Sequence, residues 1–255
     1  MATVIAISNS KGGVGKTATS VNLSAYLAAL GKKVLLVDLD PQANATSGVG
    51  IDPRKVDFSI YHALNEKISP ANIVKSTDLF GFYVLPASFD LAGSTVELVN
   101  MKNREFKLND ALTKLRHDYD FVIIDCPPSL GLLTLNGLVA SDDVLIPVQC
   151  EYYALEGLAQ LLESIDMIKN NLAKDINILG AVLTMYDKRN KLDRGVAKEV
   201  RRNFPGYVFD AVIPRNVDIA EAPGHGKTIL QFNSSSYGAR AYKQLAEEVI
   251  KRTMS

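Results

Sequence analysis

Residues 8–20, SNSKGGVGKTATS, concentrate the groups needed to hold phosphate. Gly12, Gly13 and Gly15 let a backbone curl so that successive N–H groups face inward at an anion. Lys16 at the end of this loop is predicted to reach the β and γ phosphates of a nucleotide, and the Thr17 hydroxyl to ligate Mg²⁺. The loop follows an apolar run, TVIAIS, and opens a segment of helical periodicity at Lys16, the strand–loop–helix setting that a P-loop requires. A helix beginning there adds its positive N-terminal end. The spacing nevertheless departs from G-x-x-x-x-G-K-[ST]: position 10 is Ser10, and a second lysine, Lys11, stands before the glycines. By residue type alone, Lys11 reads as readily as a solvated loop lysine.

Two acidic sites accompany the loop. VLLVDLDPQ ends an apolar run at Asp38 and Asp40, two carboxylates that share a face while the chain is extended and can diverge where Pro41 starts a turn. Beside a magnesium nucleotide one could support the metal shell and the other orient a water; alone, the pair reads better as strand-end acids capping a turn. FVIIDCPPS has four apolar residues before Asp125, the pattern of a Walker B strand whose aspartate holds Mg²⁺ through a water. Pro127 and Pro128 stop that strand, as a loop near a γ-phosphate requires.

The elements that must position these groups are legible as short apolar runs: TVIAIS, KVLLVD, FVIIDC, DVLIPVQ and INILGAVLT. They are apolar throughout instead of alternating, which predicts buried parallel strands. Segments 16–30 and 153–171 carry helical spacing between them, so the expected fold is a doubly wound, mostly parallel α/β sheet. Ligands of such sheets sit at the carboxyl ends of the strands, where all three motifs fall. A chain of 255 residues with 47% apolar and 22% charged residues fits one globular domain, residues 1–255. Cys126 and Cys150 are too few and too far apart for a disulfide framework or a metal site. No apolar run has membrane-spanning length and the N-terminus lacks a basic flank, so the expected setting is cytoplasmic, without integral membrane association. The zero net charge hides an asymmetry, because residues 184–255 carry 13 Lys and Arg against 8 Asp and Glu. That imbalance suggests a polyanion-facing surface.

KGGVGKT, VLLVDLDPQANAT and FVIIDCPPSLG, in this order, resemble the deviant Walker A P-loop ATPases, and within them the ParA/Soj proteins of chromosome and plasmid partition. LTMYDKRN and VIPRNVDIAEAPGHGKTI extend the likeness over nearly the whole chain. The resemblance implies a P-loop NTPase fold and Mg²⁺-dependent ATP hydrolysis. It also implies an ATP-dependent homodimer, non-specific binding to double-stranded DNA, a ParB-like (Spo0J-like) partner that stimulates hydrolysis, and association with the nucleoid. By the same resemblance, Lys11 crosses the dimer interface to phosphates bound by the other subunit, and Asp40 positions or activates the hydrolytic water. Asp38 and Asp125 support the magnesium site with Thr17. Lys11, Gly12, Gly13, Val14, Gly15, Lys16, Thr17 and Ala18 cradle the nucleotide, and the chain around Pro214 and Asn216 lines the adenine. Ala18 stands where a threonine often contacts the α-phosphate, with its backbone N–H still available. Asp218 stands where many chromosomal relatives carry an arginine implicated in DNA binding.

Independently of the family, a helix from about Lys191 to Phe204, advancing about 100° per residue, places Lys191, Arg194, Lys198, Arg201 and Arg202 in one sector. Val196, Ala197, Val200 and Phe204 fall opposite. Lys188 and Arg189 lie just before this stripe, which reads either as a phosphate-contacting face or as an ordinary solvated one. The rival readings are a metabolic P-loop enzyme, such as an amide-forming synthetase, and a MinD-like membrane- or cargo-positioning ATPase. The mark of the latter would be a C-terminal membrane-targeting helix. Here Tyr242, Leu245, Ala246, Val249 and Ile250 are more simply a last helix packed on its own domain.

Overall fold

A computed structural model of the chain describes residues 1–151, 154–172 and 174–254. Among these described residues, eight strands form one sheet: β1 Thr3–Ile7, β2 Val34–Asp38, β3 Lys75–Ser76, β4 Phe82–Leu85, β5 Phe121–Asp125, β6 Asp143–Gln149, β7 Asn177–Tyr186 and β8 Val208–Pro214. Their order is β3-β4-β2-β5-β1-β6-β7-β8, parallel except for the short β3. The helices are α1 Lys16–Ala29, α2 Asn44–Gly48, α3 Ile60–Leu64, α4 Leu91–Val99, α5 Lys107–Thr113 and α6 Leu132–Ala140, then α7 Ala154–Leu172, α8 Lys191–Asn203, α9 Val217–Glu221, α10 Ile229–Asn233 and α11 Tyr237–Thr253. The expected α/β fold is thus present, and the five expected strands are β1, β2, β5, β6 and β7. Segment 153–171 is helical from Ala154; residue 153 lies outside the described residues.

The apolar strands are buried on both faces because each face carries its own core cluster. One joins Val4, Leu35, Val37, Val122 and Ile124 to helices α3 to α7; the other joins Ile5, Leu36, Phe121 and Ile123 to α1 and α11. The central β1 lies between β5 and β6. From β1 the chain builds outward on one side through β2 and β4, returns to β5, and then builds the other side through β6, β7 and β8. That reversal creates the crevice at the strand ends where such sheets bind ligands.

Helix α11 packs on α1 and β8, and its apolar stripe is buried there: Tyr242, Leu245, Ala246 and Val249 are each at most 1% exposed. Among the described residues, no helix is long and apolar enough to cross a membrane.

Candidate functional site

β1 ends at Ile7 and the next eight residues turn back over the carboxyl ends of the strands into α1. Asn9 anchors the turn, since its side-chain amide donates to the Pro147 carbonyl at 2.8 Å while its Oδ1 accepts from the Lys11 N–H at 3.0 Å. Gly13 and Gly15 take φ of 76° and 88°, in the left-handed region that a β-carbon disfavours. Gly15 is also the N-cap of α1 and provides no capping side chain, so the N–H groups of the first turn remain for an anion. Lys16 is buried and its ammonium donates back across the loop to the Lys11 carbonyl at 2.9 Å. Burial lowers its pKa, countered by Asp125 and Asp40 nearby. Thr17 and Ala18 follow in the first turn of α1. A β-carbon added at Gly12 or Gly13 would meet nothing within 4 Å, which leaves the outer side of the loop open.

The strand ends deliver the acids. Asp38 and Asp125 are register partners in β2 and β5, and Ile7 of β1 is the other partner of Asp125. Ser20, one turn into α1, donates to Asp125 Oδ1 at 2.8 Å and so fixes the carboxylate beside the loop. Asp125 Oδ2 is buried and accepts no hydrogen bond among the described residues. A buried carboxylate oxygen without a donor, next to a lysine-bearing loop and the Thr17 hydroxyl, fits a magnesium nucleotide.

Asp38 ends β2 beside Asp125 and is held by several donors. Its Oδ2 accepts from both the Thr46 N–H and the Thr46 hydroxyl at 2.7 Å, and its Oδ1 accepts from the Asp40 N–H at 3.2 Å. The Thr46 hydroxyl in turn accepts from the Ala87 N–H. These hydrogen bonds orient the Asp38 carboxylate and tie it to the turn that carries Asp40. Asp40 itself is 9% exposed, and its Oδ1 accepts from the Gln42 N–H at 2.9 Å. Thr46 and Ser20 escaped the sequence reading because no motif marks them; the i, i+4 spacing of Ser20 from Lys16 on a helix opening beside Asp125 was the available signal.

Burial pushes the pKa of Asp125 well above 3.8, helped by Asp38 and opposed by Ser20. Burial also raises Asp38, opposed by Thr46 and helped by Asp40. The folded chain therefore binds these protons more tightly than the unfolded chain, and the stability so gained is lost as pH rises through the folded values. Ligand-free protein is expected to melt at lower temperature as pH is raised from about 5 into the neutral range, with Mg²⁺-nucleotide or Asp125→Asn flattening the decline. Melting curves across pH check this; a Tm that climbs with pH, equally in Asp125→Asn, would contradict it.

Lys11 forms an ion pair with Glu151 of its own chain, at the entry to α7. Pro214 ends β8, where it is the register partner of Tyr186, and Asn216 caps α9 by accepting from the Ile219 N–H at 3.1 Å. Asp218 lies in the first turn of α9 and accepts from the Asn233 side chain at 3.3 Å.

The basic stripe lies on α8. Asn190 caps the helix, and buried Asp193 accepts from the Asp187 N–H at 2.8 Å, which ties its first turn to the end of β7. Val200 and Phe204 are buried beneath it. Lys188, Arg189, Lys191, Arg194, Lys198, Arg201 and Arg202 are all exposed, but not all are available. Arg189 folds onto Asp187, Arg194 donates to the Lys188 carbonyl at 2.8 Å, and Arg201 donates to the Phe209 carbonyl at 3.2 Å. The side chains of Lys188, Lys191, Lys198 and Arg202 make no hydrogen bond or ion pair with described residues.

A family profile described as an AAA domain matches residues 2–178. The chain is 52% identical to the sporulation initiation inhibitor protein Soj of Bacillus subtilis, over 98% of each chain. It is 50% identical to the chromosome partitioning protein ParA of Myxococcus xanthus, over 98% of this chain and 88% of that one. Among solved structures, a cobyrinic acid a,c-diamide synthase from Mycobacterium smegmatis with bound ATP analogue and magnesium superposes with a TM-score of 0.88 and 39% identity, covering 100% of this chain and 97% of that chain. The P-loop opening α1, the acids at the ends of β2 and β5, and identity over nearly the full length lead to one assignment: the chain belongs to the ParA/Soj family of chromosome-partitioning ATPases.

Proposed function

We propose that this ATPase is a partition switch in which ATP closes a homodimer, the dimer holds DNA without regard to sequence, and hydrolysis stimulated by a ParB-like protein releases it. The observation that carries the reading is the placement of Lys16, Asp40 and Asp125 around one loop that also carries Lys11. Lys16 and the N–H groups of the loop hold the phosphates, and Pro214 and Asn216 border the base. Thr17 and Asp125, supported by Asp38, would hold Mg²⁺, which when bound neutralises charge on the β and γ phosphates. Asp40 orients the attacking water from the turn that Asp38 and Thr46 hold in place.

Lys11 has one charge and two alternative partners. In the single chain it is neutralised by Glu151; in the dimer it is exchanged for phosphates of the facing subunit, whose higher charge compensates the burial of an ammonium. Lys11→Ala is therefore expected to leave monomer ATP affinity within about threefold of wild type while the ATP dimer and its turnover weaken by about tenfold or more. Sedimentation and ATP titration at matched concentrations separate the two. Loss of monomer affinity with dimerisation intact would place Lys11 on its own nucleotide.

DNA contact belongs to Lys188, Lys191, Lys198 and Arg202 on the exposed side of α8, and two stripes on one dimer add their contacts through effective concentration. Affinity is then expected to fall with salt at a log–log slope of about −0.9 per phosphate neutralised. Lys198→Ala with Arg202→Ala should flatten that slope, and Asp218→Arg should tighten binding without altering ATP affinity. Fluorescence anisotropy of one duplex over a salt series reads both, and an unchanged slope in the double variant would remove α8 from the contact.

The likeness to an amide synthase supports a second reading, a metabolic P-loop enzyme. A synthetase couples ATP cleavage to an acid acceptor, whereas a switch hydrolyses ATP to ADP and phosphate with protein and DNA alone. Turnover that depends strictly on an added carboxylic acid would favour the synthetase.

A further inference from the structure

A phosphate cradle made of backbone N–H groups works only if its peptide planes face the right way. Thr184, near the end of β7 and 2% exposed, donates its hydroxyl to the Val14 carbonyl at 2.8 Å. The same side chain lies against the next residue, since a β-carbon on Gly15 would sit 3.8 Å from the Thr184 methyl carbon. In a trans peptide the C=O of one residue and the N–H of the next point in opposite directions. Holding the Val14 carbonyl against β7 therefore turns the Gly15 N–H away from β7. That N–H donates to no described residue. Gly13 and Gly15 flank Val14 with left-handed φ and no β-carbons, so the plane between Val14 and Gly15 meets little steric resistance to rotation. Thr184 is itself well fixed: it is the register partner of Gln149 in β6, and its carbonyl accepts from the Cys150 N–H at 3.2 Å.

We propose that Thr184 is a positioning residue of the nucleotide site, whose hydroxyl sets the Val14–Gly15 peptide so that the Gly15 N–H is aimed in advance at a phosphate oxygen. The inference rests on the reading of residues 11–18 as the phosphate cradle. A hydroxyl on a neighbouring strand thus does what the loop's own glycines cannot, which is to select one of two peptide orientations before the ligand arrives. Without it, part of the binding free energy is spent on ordering the plane.

Thr184→Val removes the hydroxyl and keeps the branched shape, Thr184→Ser keeps the hydroxyl, and Thr184→Ala serves if the valine variant does not fold. Each is titrated with Mg²⁺-ADP by calorimetry, alongside Lys16→Ala, while the Gly15 amide resonance is followed by ¹H–¹⁵N spectroscopy. Thr184→Val is expected to bind about tenfold more weakly, the equivalent of one hydrogen bond to a charged group. The loss should fall on Kd and on KM for ATP more than on kcat, and the Gly15 amide should lose its ADP-induced shift. Thr184→Ser should bind within about twofold of wild type with the shift restored. If Thr184→Val or Thr184→Ala melts at lower temperature yet binds ADP and shifts the Gly15 amide as wild type does, Thr184 merely supports the fold and the proposal is overturned, while loss of binding in Lys16→Ala keeps the site itself in place. Wild-type binding by Lys16→Ala would overturn the site, and the role of Thr184 with it.

Discussion

Asp40→Ala is expected to lower kcat for ATP hydrolysis by about 10²–10⁴-fold, the usual contribution of a positioned acid–base group, while ATP still binds and still closes the dimer. The Asp40 carboxylate has one oxygen committed to the Gln42 N–H, and the other accepts nothing from the described residues. A carboxylate held at one end and open at the other can orient a water without moving during the reaction. Alanine removes that oxygen but leaves the loop, Lys16, Ser20 and Asp125 where they are, so the loss belongs to the chemical step and not to binding. Single-turnover hydrolysis with light scattering separates the two, because the variant should persist as an ATP dimer. Rapid single-turnover hydrolysis by the variant would move the catalytic role to another residue.

Lys16→Ala acts on the preceding step and is expected to weaken ATP binding by about 100-fold or more. Its ammonium is buried inside the loop and meets the Lys11 carbonyl, Asp125 and Asp40 as its polar surroundings. Removing it deletes the charge proposed to face the phosphates and also leaves Asp125 with less compensation for its burial. Weaker binding should therefore appear with ADP as well as ATP. Titration of a fluorescent ATP analogue measures the loss, and affinity close to wild type would show that the phosphates lie elsewhere.

The five central strands were legible because each is enclosed on both faces and reads as an unbroken apolar run, as in VLLVD and FVIID. β8 was missed for the complementary reason. At the sheet edge its residues alternate between buried and partly or fully exposed, with Asp210 outward, so VFDAVIP lacks the continuous pattern of its neighbours. β4 is four residues long and β3 only two, too short for periodicity to declare itself.

Of the residues proposed for the site, Gly15, Lys16, Asp40 and Asp125 stand out in the sequence because a motif fixes their spacing along the chain. Ser20 and Thr184 do not, because each acts across the fold, Ser20 on a carboxylate 105 residues away and Thr184 on a carbonyl 170 residues away, and Thr46 carries no motif. The spacing of Asp38 and Asp40 did not disclose that Thr46, eight residues on, donates two hydrogen bonds to one Asp38 oxygen. The α8 stripe was correctly placed on a helix, whereas helical periodicity could not show that Arg194 and Arg201 bend back onto backbone carbonyls.

A partition switch requires nucleotide state to govern attachment to DNA, which is measured by binding of one random-sequence duplex at low salt with ATP, with ADP and with no nucleotide, using Asp40→Ala to hold the ATP state. Tight, salt-sensitive binding is expected with ATP, tighter still in Asp40→Ala, with weak binding in the other two conditions. Equal binding in all three, or none in any with Asp218→Arg failing to restore it, would contradict a partition switch.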